Sequence, residues 1–241
     1  MRIRTGLLAL GVLLALTACS DDAAPRPTPS GTPSPSPTRK YTGFQSYTVT
    51  AAGPSVVVYD GPDGAERTRL ANPQPSGAPL TFLLKHPEEG WLQVYLPVRP
   101  NGSTGWVRES AVRVEGNPWR VDVLTGRHRL RLVRDLELHA EFQVAIGKEN
   151  TPTPGGIFYI KELLVPDDPR GFYGPYAYGL SGYSNVLTKF RGGEGVIGIH
   201  GTSQLDSIGR DASSGCIRMR NEDIRRLVDL LPLGTPVRIL P

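Results

Sequence analysis

Short apolar alternations broken by turns run through most of this chain, a pattern that leaves room for strands of about four to eight residues and little for helices. Between Tyr47 and Val114 the alternations are Val56-Val57-Val58-Tyr59, Leu80 to Leu84, Trp91 to Leu96, Gly105-Trp106-Val107 and Val112 to Val114. Gly61-Pro62-Asp63-Gly64 and Pro100-Asn101-Gly102 carry turn chemistry between them. From Trp119 onward the strand-like runs are Arg120 to Leu124, His128 to Val133, Leu138 to Ile146, Ile157 to Leu164, Val196 to His200 and Val237 to Leu240. A total of 28 Gly and 23 Pro against 2 Met agrees with many turns. One helix is well marked. Asn221 reads as its N-cap, Glu222 and Asp223 suit its positive end, Ile224, Leu227, Val228 and Leu231 share a face, and Pro232 and Gly234 stop it. The expectation is a mainly β chain in two units, with Trp91 and Trp106 in the core of the first. Gly171 to Gly195, with Tyr173, Tyr176, Tyr178 and Tyr183 among glycines, reads as too irregular for a core strand. It is either a wall over a cleft, with Tyr178 touching substrate, or a packed surface loop.

Ahead of these units stand a leader and a linker. Met1 to Arg4 is positively charged and Leu7 to Leu16 is apolar but too short to remain as a bilayer span, so residues 1–18 read as a signal peptide. Leu16-Thr17-Ala18-Cys19 resembles the lipobox of bacterial lipoproteins, which implies acylation of Cys19 and anchoring to a membrane. Residues 19–42 then form a tether: between Ala23 and Lys40, Pro25, Pro27, Pro29, Pro33, Pro35 and Pro37 stand among Ser and Thr, and such chain extends about 3.1 Å per residue, roughly 50 Å over those 18 positions. Removal of Arg2 and Arg4 with the leader lowers the formal charge of +4 to +2. No basic stripe with interleaved aromatics is present, so a nucleic-acid partner is not expected.

His200, Cys216 and Arg218 are the residues with chemistry to offer. Cys216 is the thiol left free once Cys19 is acylated, and a leftover cysteine in an exported chain is a candidate nucleophile. A thiol at its ordinary pKa is mostly protonated at neutral pH; a histidine in reach either stabilises the thiolate as an ion pair or accepts its proton. His200 ends the strand-like Val196-Ile197-Gly198-Ile199, and the loop from Gly201 to Gly215 is long enough to return Cys216 beside it. Ser213-Ser214-Gly215 leaves room around the sulfur, with the Gly215 and Cys216 amides available to an oxyanion. Arg218, two residues on, shares a face with Cys216 if the chain is extended and would suit a substrate carboxylate. Taken singly, each residue has a blander reading: a buried small thiol, a structural histidine, a solvated arginine. A metal is not expected, since His128 and His139 fall on a separate strand pair, and no cofactor motif is present.

Several ordered motifs then point one way. Gly195-Val196-Ile197-Gly198-Ile199-His200-Gly201-Thr202, the block Ser213 to Asn221, the following helix, the closing Gly234 to Ile239 and Thr151-Pro152-Thr153-Pro154-Gly155-Gly156 before Phe158 together resemble the L,D-transpeptidase catalytic domain over residues 119–241. Trp91 to Val107 resembles the second half of the small Src-homology-type (SH3-like) barrels attached to bacterial cell-wall enzymes, which implies such a barrel over residues 43–115. The resemblance implies an L,D-transpeptidase-type β-sandwich. It also implies that Cys216 attacks the carbonyl between the third and fourth residues of a peptidoglycan stem peptide, forming an acyl-enzyme that a neighbouring stem resolves into a cross-link, commonly through a diaminopimelate side chain. His200 would act as general base and acid, Gly201 or Thr202 would support its ring, Gly215 and Ser214 would flank the oxyanion, and Arg218 would hold a stem-peptide carboxylate. Many members have His where this chain has Ser214. The alternatives are a non-catalytic wall-binding lipoprotein, and an L,D-carboxypeptidase that hydrolyses the acyl-enzyme. Wall peptidases of the common cysteine type place cysteine before histidine, and sortases have a threonine-rich stretch before the cysteine; neither matches. The expected location is extracytoplasmic, lipid-anchored to a bacterial membrane and reaching the wall.

Overall fold

The computed structural model describes residues 41–189 and 193–241. The expected signal peptide, Cys19 and nearly all of the linker lie outside them. The chain is mainly β, with a single α-helix among the described residues, and both of its large sheets lie in one compact unit.

The first sheet comprises β1 (Ser46–Ala51), β2 (Ser55–Tyr59), β3 (Glu66–Ala71), β4 (Thr81–Glu88), β5 (Trp91–Tyr95), β6 (Thr104–Arg108) and β7 (Val112–Asn117). They pair in the order β3-β2-β6-β5-β4-β1-β7, so β3 and β7 are its edges. Alternation does the work expected of it: Val49, Val56, Val58, Phe82, Leu92, Val94 and Val107 share one buried cluster. Of the two tryptophans expected in the core, Trp91 is buried, on the face opposite that cluster, and Trp106 departs from expectation. Because Leu92 and Val107 face the core, their neighbours Trp91 and Trp106 project to the opposite face, where Arg108 lies over the Trp91 ring at 4.3 Å and Tyr59 meets it edge-on at 5.0 Å. Trp91 is thereby buried, whereas Trp106 is half-buried. Strand β3 carries almost no apolar residue, and as an exposed edge strand it needs none.

The second sheet is built from β8 (Trp119–Leu124), β9 (Arg129–Arg134), β10 (Glu137–Gln143), the short β11 (Ile146–Gly147), β12 (Gly156–Leu164), β13 (Ala177–Tyr183), β14 (Val196–His200), β15 (Asp211–Ser213), β16 (Ile217–Arg218) and β17 (Pro236–Leu240). Eight of them pair in the order β10-β9-β8-β17-β12-β13-β14-β16, while β11 and β15 pair with each other. Helix α1 (Asn221–Val228) buries Ile224 and Leu227 completely against this sheet, each burial contributing about 2 kcal/mol. Asn221 does not cap it: the N-cap position is Arg220, with no side-chain cap. Toward and beyond its other end the Tyr178 hydroxyl lies 3.2 Å from both the Leu227 and the Leu231 carbonyls.

Part of Gly171 to Gly195 is a core strand after all. β13 runs between β12 and β14, and its glycines are needed for closeness: a Cβ on Gly182 would collide with the Phe158 ring, and one on Gly179 with the Glu162 carboxylate. Tyr178, Leu180 and Tyr183 are all buried. The two sheets are braced by polar contacts. Arg99 donates to the carbonyls of Ser184 (2.9 Å), Leu187 (3.3 Å) and Glu194 (3.1 Å) and lies over the Tyr183 ring, and the Tyr183 hydroxyl donates to the Pro97 carbonyl at 2.6 Å. Gly182→Ala is expected to destabilise the protein by about 1–3 kcal/mol through overpacking against Phe158. Gly155→Ala, whose Cβ would meet Ile239 O at an ordinary 3.6 Å, should be close to neutral; urea midpoints of the two variants check this.

Candidate active site

Strand parity assembles the site. β14 and β16 pair in parallel, with Ile199 opposite Ile217 and His200 opposite Arg218. Ile197, Ile199, Ile217 and Met219 therefore fall on the core side, where all are buried, and Gly198, His200, Cys216 and Arg218 fall on the other. Gly198 lies beneath the sulfur, and its amide donates to it. A Cβ there would stand an ordinary 4.0 Å from Sγ but only 2.9 Å from the Tyr178 carbonyl, so it is the neighbouring strand that requires the glycine. His200 is next along the same face.

His200 is 1% exposed, and its Nδ1 lies 2.5 Å from the Gly201 carbonyl, so Nδ1 carries the proton and donates. The other nitrogen, Nε2, is buried without a partner. Burial disfavours the imidazolium and the Arg218 charge adds to that, outweighing the Gly201 carbonyl; the pKa is lowered to about 4. Burial likewise pushes the Cys216 thiol up, against the pull of the Gly198 amide and the Arg218 charge. Burial thus favours the neutral thiol and imidazole over an ion pair. The ring is held by Tyr173, edge-on at 4.9 Å, and by Phe172 at 5.8 Å. Its backbone anchor is fixed from behind: Asn221 Oδ1 accepts from the Thr202 amide at 2.8 Å, and a Cβ on Gly201 would collide with that same oxygen. Asn221, expected to cap a helix, instead positions the loop that holds the histidine.

The turn before Cys216 is self-bonded. Ser213 Oγ donates to the Cys216 carbonyl at 2.6 Å and accepts from the Gly215 amide at 3.0 Å, while Gly215 takes φ +114°, which suits glycine. The Gly215 amide is therefore spent within the turn and does not point at an incoming oxyanion. Ser214 is half-buried, with no side-chain hydrogen bond. The Thr151 hydroxyl donates to the Ser213 carbonyl at 3.3 Å, which ties the Thr-Pro element to this turn.

Two expected substrate contacts are placed elsewhere. Tyr178 stands opposite Ile199, so its ring faces the core and its hydroxyl serves α1; its backbone alone borders the cleft. Arg218 shares the face of Cys216 as anticipated but is buried, donating to Gln204 Oε1 at 2.7 Å with its guanidinium 5.0 Å from the Phe172 ring centre. Its Nε has no partner. A cavity of about 470 Å³ opens over the site, bordered by Cys216, His200, Gly198, Tyr173, Gly179 and Glu162 among others, and Arg218 is not among its walls. Gln204 and Ser213 carried no signal of their own in the sequence, whereas Gly198 did: a glycine in the midst of Val-Ile-Gly-Ile-His marks a close approach. Among the described residues no group of three His, Cys, Asp or Glu is gathered for a metal.

Residues 118–239 match the YkuD family model, described as an L,D-transpeptidase catalytic domain. YkuD of Bacillus licheniformis, named as an L,D-transpeptidase, is 36% identical over 124 residues, covering 52% of this chain and 67% of its own length. YqjB of Bacillus subtilis, named likewise, is 32% identical over 139 residues, covering 52% and 72%. The solved structure of Bd1075 from Bdellovibrio bacteriovorus aligns with TM-score 0.42 at 28% identity, over 52% of this chain and 48% of that one. The chain thus spans about two thirds of the length of these curated relatives and about half of that solved chain.

Burial of His200 carries a pH signature. Between about 4, its folded pKa, and about 6.5, its unfolded one, the unfolded chain binds a proton that the folded chain does not. Stability from this residue is therefore present above pH 6.5 and falls with pH through that window, by about 3 kcal/mol in full. Urea midpoints at pH 4, 5, 6 and 7 for wild type and His200→Gln check it: the variant should lose this part of the slope, whatever its stability at pH 7.

Proposed function

This chain belongs to the YkuD family of L,D-transpeptidase catalytic domains, and from that premise we propose that it is a peptidoglycan L,D-transpeptidase working through a Cys216 acyl-enzyme. The observation that carries the reading is a neutral imidazole whose Nδ1–H is committed to Gly201 and whose Nε2 is left unpartnered in the cavity that Cys216 also borders. Nε2 takes the thiol proton as sulfur attacks the stem-peptide carbonyl. The tetrahedral intermediate then expels the terminal D-residue, whose amine leaves with the proton from Nε2, and a thioester remains on Cys216. The acceptor amine attacks that thioester, gives a proton to Nε2, and the sulfur departs and regains a proton. The Arg218 charge, 14 residues in sequence from its anchor Gln204, stands beside the pair and favours the negative charge that develops on sulfur and oxyanion; this replaces the carboxylate contact expected of it. Ser214, half-buried at the turn, is assigned to the rim of the oxyanion site.

On this reading the chain is a tethered enzyme. Residues 1–18 are the export signal, Cys19 carries lipid, residues 19–42 span toward the wall, residues 43–115 form an accessory β unit and residues 119–241 the catalytic one. Its partners are donor and acceptor stem peptides and the membrane that holds Cys19.

Incubation with tetrapeptide muropeptides or a carbapenem, followed by intact-protein mass spectrometry, should show one covalent adduct on wild type and none on Cys216→Ala. A folded wild type that takes up no adduct from either reagent would sink the transpeptidase reading. Cys19→Ala should release the protein from the membrane fraction, and unchanged membrane association would count against lipid anchoring.

A further inference from the structure

The cleft face of the second sheet carries a row of residues that the proposed chemistry leaves unused. Glu162 in β12 stands opposite Gly179 in β13, and Gly179 stands opposite Gly198 in β14. Cys216 continues the row, since Ile199 pairs with Ile217 and the sulfur lies over Gly198. Two glycines in succession leave a trough floored by backbone, with a thiol at one end and a carboxylate at the other. Glu162 leans into it: a Cβ on Gly179 would collide with Oε1, Cγ and Cδ of that side chain. The carboxylate leans over Gly179 and the sulfur lies over its partner Gly198, so with strands spaced about 4.8 Å apart the two are about one to two strand spacings, roughly 5–10 Å, from each other.

The charge of the trough has one sign. Among the described residues the cavity walls include Glu162, Asp167 and Glu194 and neither lysine nor arginine, and His200 is neutral. Lys161 reaches Glu162 Oε1 at 3.3 Å but is not one of the walls. A second, independent feature marks the same cavity as a ligand site, namely the buried, unpartnered Nε2 of His200.

Resting on the transpeptidase reading, we propose that Glu162 is a specificity-determining residue that binds the side-chain ammonium of the donor residue acylated onto Cys216. Reach and charge both select this ligand. From a carbonyl carbon bonded to sulfur, a flexible four-carbon stem covers most of the trough, and a charge-assisted hydrogen bond of about 2.8 Å covers the rest. The acceptor amine does not fit the same place, because it must meet the thioester carbon at the opposite end of the row. Donors with a free primary amine at the end of a lysine-length side chain are thus preferred over the same peptide with that amine acetylated.

The test compares these two tetrapeptides as donors for the full-length chain, following Cys216 acylation by intact mass at subsaturating concentrations. Wild type should acylate about tenfold faster with the free amine. Glu162→Gln should reduce that preference to within about twofold and leave the rate with the acetylated peptide unchanged. Gly179→Ala, whose methyl displaces the Glu162 carboxylate, should likewise reduce the ratio of the two rates by another route. A merely structural Glu162 would slow both peptides equally, and that result overturns the proposal, as does a wild type without preference or a Glu162→Gln variant that keeps it. Failure of both peptides on a wild type whose Cys216 still alkylates with iodoacetamide sinks the transpeptidase reading itself, and this inference with it.

Discussion

Parallel pairing of two strands needs a crossover, and here the crossover from β14 to β16 is what brings an imidazole and a thiol together. The segment 201–215 makes it without an α-helix, through a short 3₁₀ turn at Leu205–Ser207 and the bridge strand β15. Once Ile199 and Ile217 are in register in the core, the other face has no freedom left: Gly198 lies under the sulfur and His200 beside it. The juxtaposition of the two side chains is thus a by-product of burying isoleucines. A one-residue slip in β16 would turn Cys216 into the core and Ile217 into the cleft, at the cost of exposing a fully buried side chain.

The same burial sets the electrostatics. Both groups of the pair sit where charge is disfavoured, so each is held in its neutral form, and the Arg218 cation pulls both pKa values downward. Its effect on the two is opposite in meaning. It eases ionisation of the thiol and opposes protonation of the imidazole. Burying that cation is costly in itself, and the site offsets it with Gln204 Oε1 and the face of Phe172 while leaving Nε bare. The Ser213 hydroxyl, closing the turn onto the Cys216 carbonyl, fixes the backbone from which the sulfur projects.

What was legible in the sequence was whatever rests on local pattern. Val196–His200 is a strand with the bounds its alternation implies, Ile224 and Leu227 mark the buried face of α1, and His200 and Cys216 border one cavity. What was not legible rests on neighbours far away in the chain. Gly179 and Gly182 read as breakers because the cause of their small size, the Glu162 and Phe158 side chains of the adjacent strand, is invisible locally. Tyr178 reads as a cleft tyrosine because nothing nearby shows that its hydroxyl bonds to carbonyls 49 and 53 residues later. Asn221 obeyed the composition rule for a cap, yet its oxygen is claimed by the Thr202 amide across the site. In the first sheet, parity alone could have placed Trp91 and Trp106 opposite Leu92 and Val107, but the general preference of tryptophan for interiors pointed the other way.

The cleft also depends on a part of the chain that carries none of its chemistry. Its wall at Glu194, Gly195 and Val196 is tied to β13 and the residue after it by the Tyr183–Val196 pair and by the Ser184 amide, and the Glu194 carbonyl is met by a side chain from the first sheet's region. Arg99, from the loop between β5 and β6, satisfies the Ser184, Leu187 and Glu194 carbonyls with one guanidinium, and Asn101 adds bonds to both the amide and the carbonyl of Tyr183. A planar donor with several N–H groups is the side chain suited to gather carbonyls converging from one direction, and lysine, a single point of charge, would not span them. The Ser184 amide closes the same neck onto the Gly195 carbonyl at 2.8 Å. Glu194 and Gly195 are thereby held at the mouth of the cavity by a residue on the other sheet, so the shape of the cleft is a property of the two sheets together, and the first sheet acts on the site through position alone.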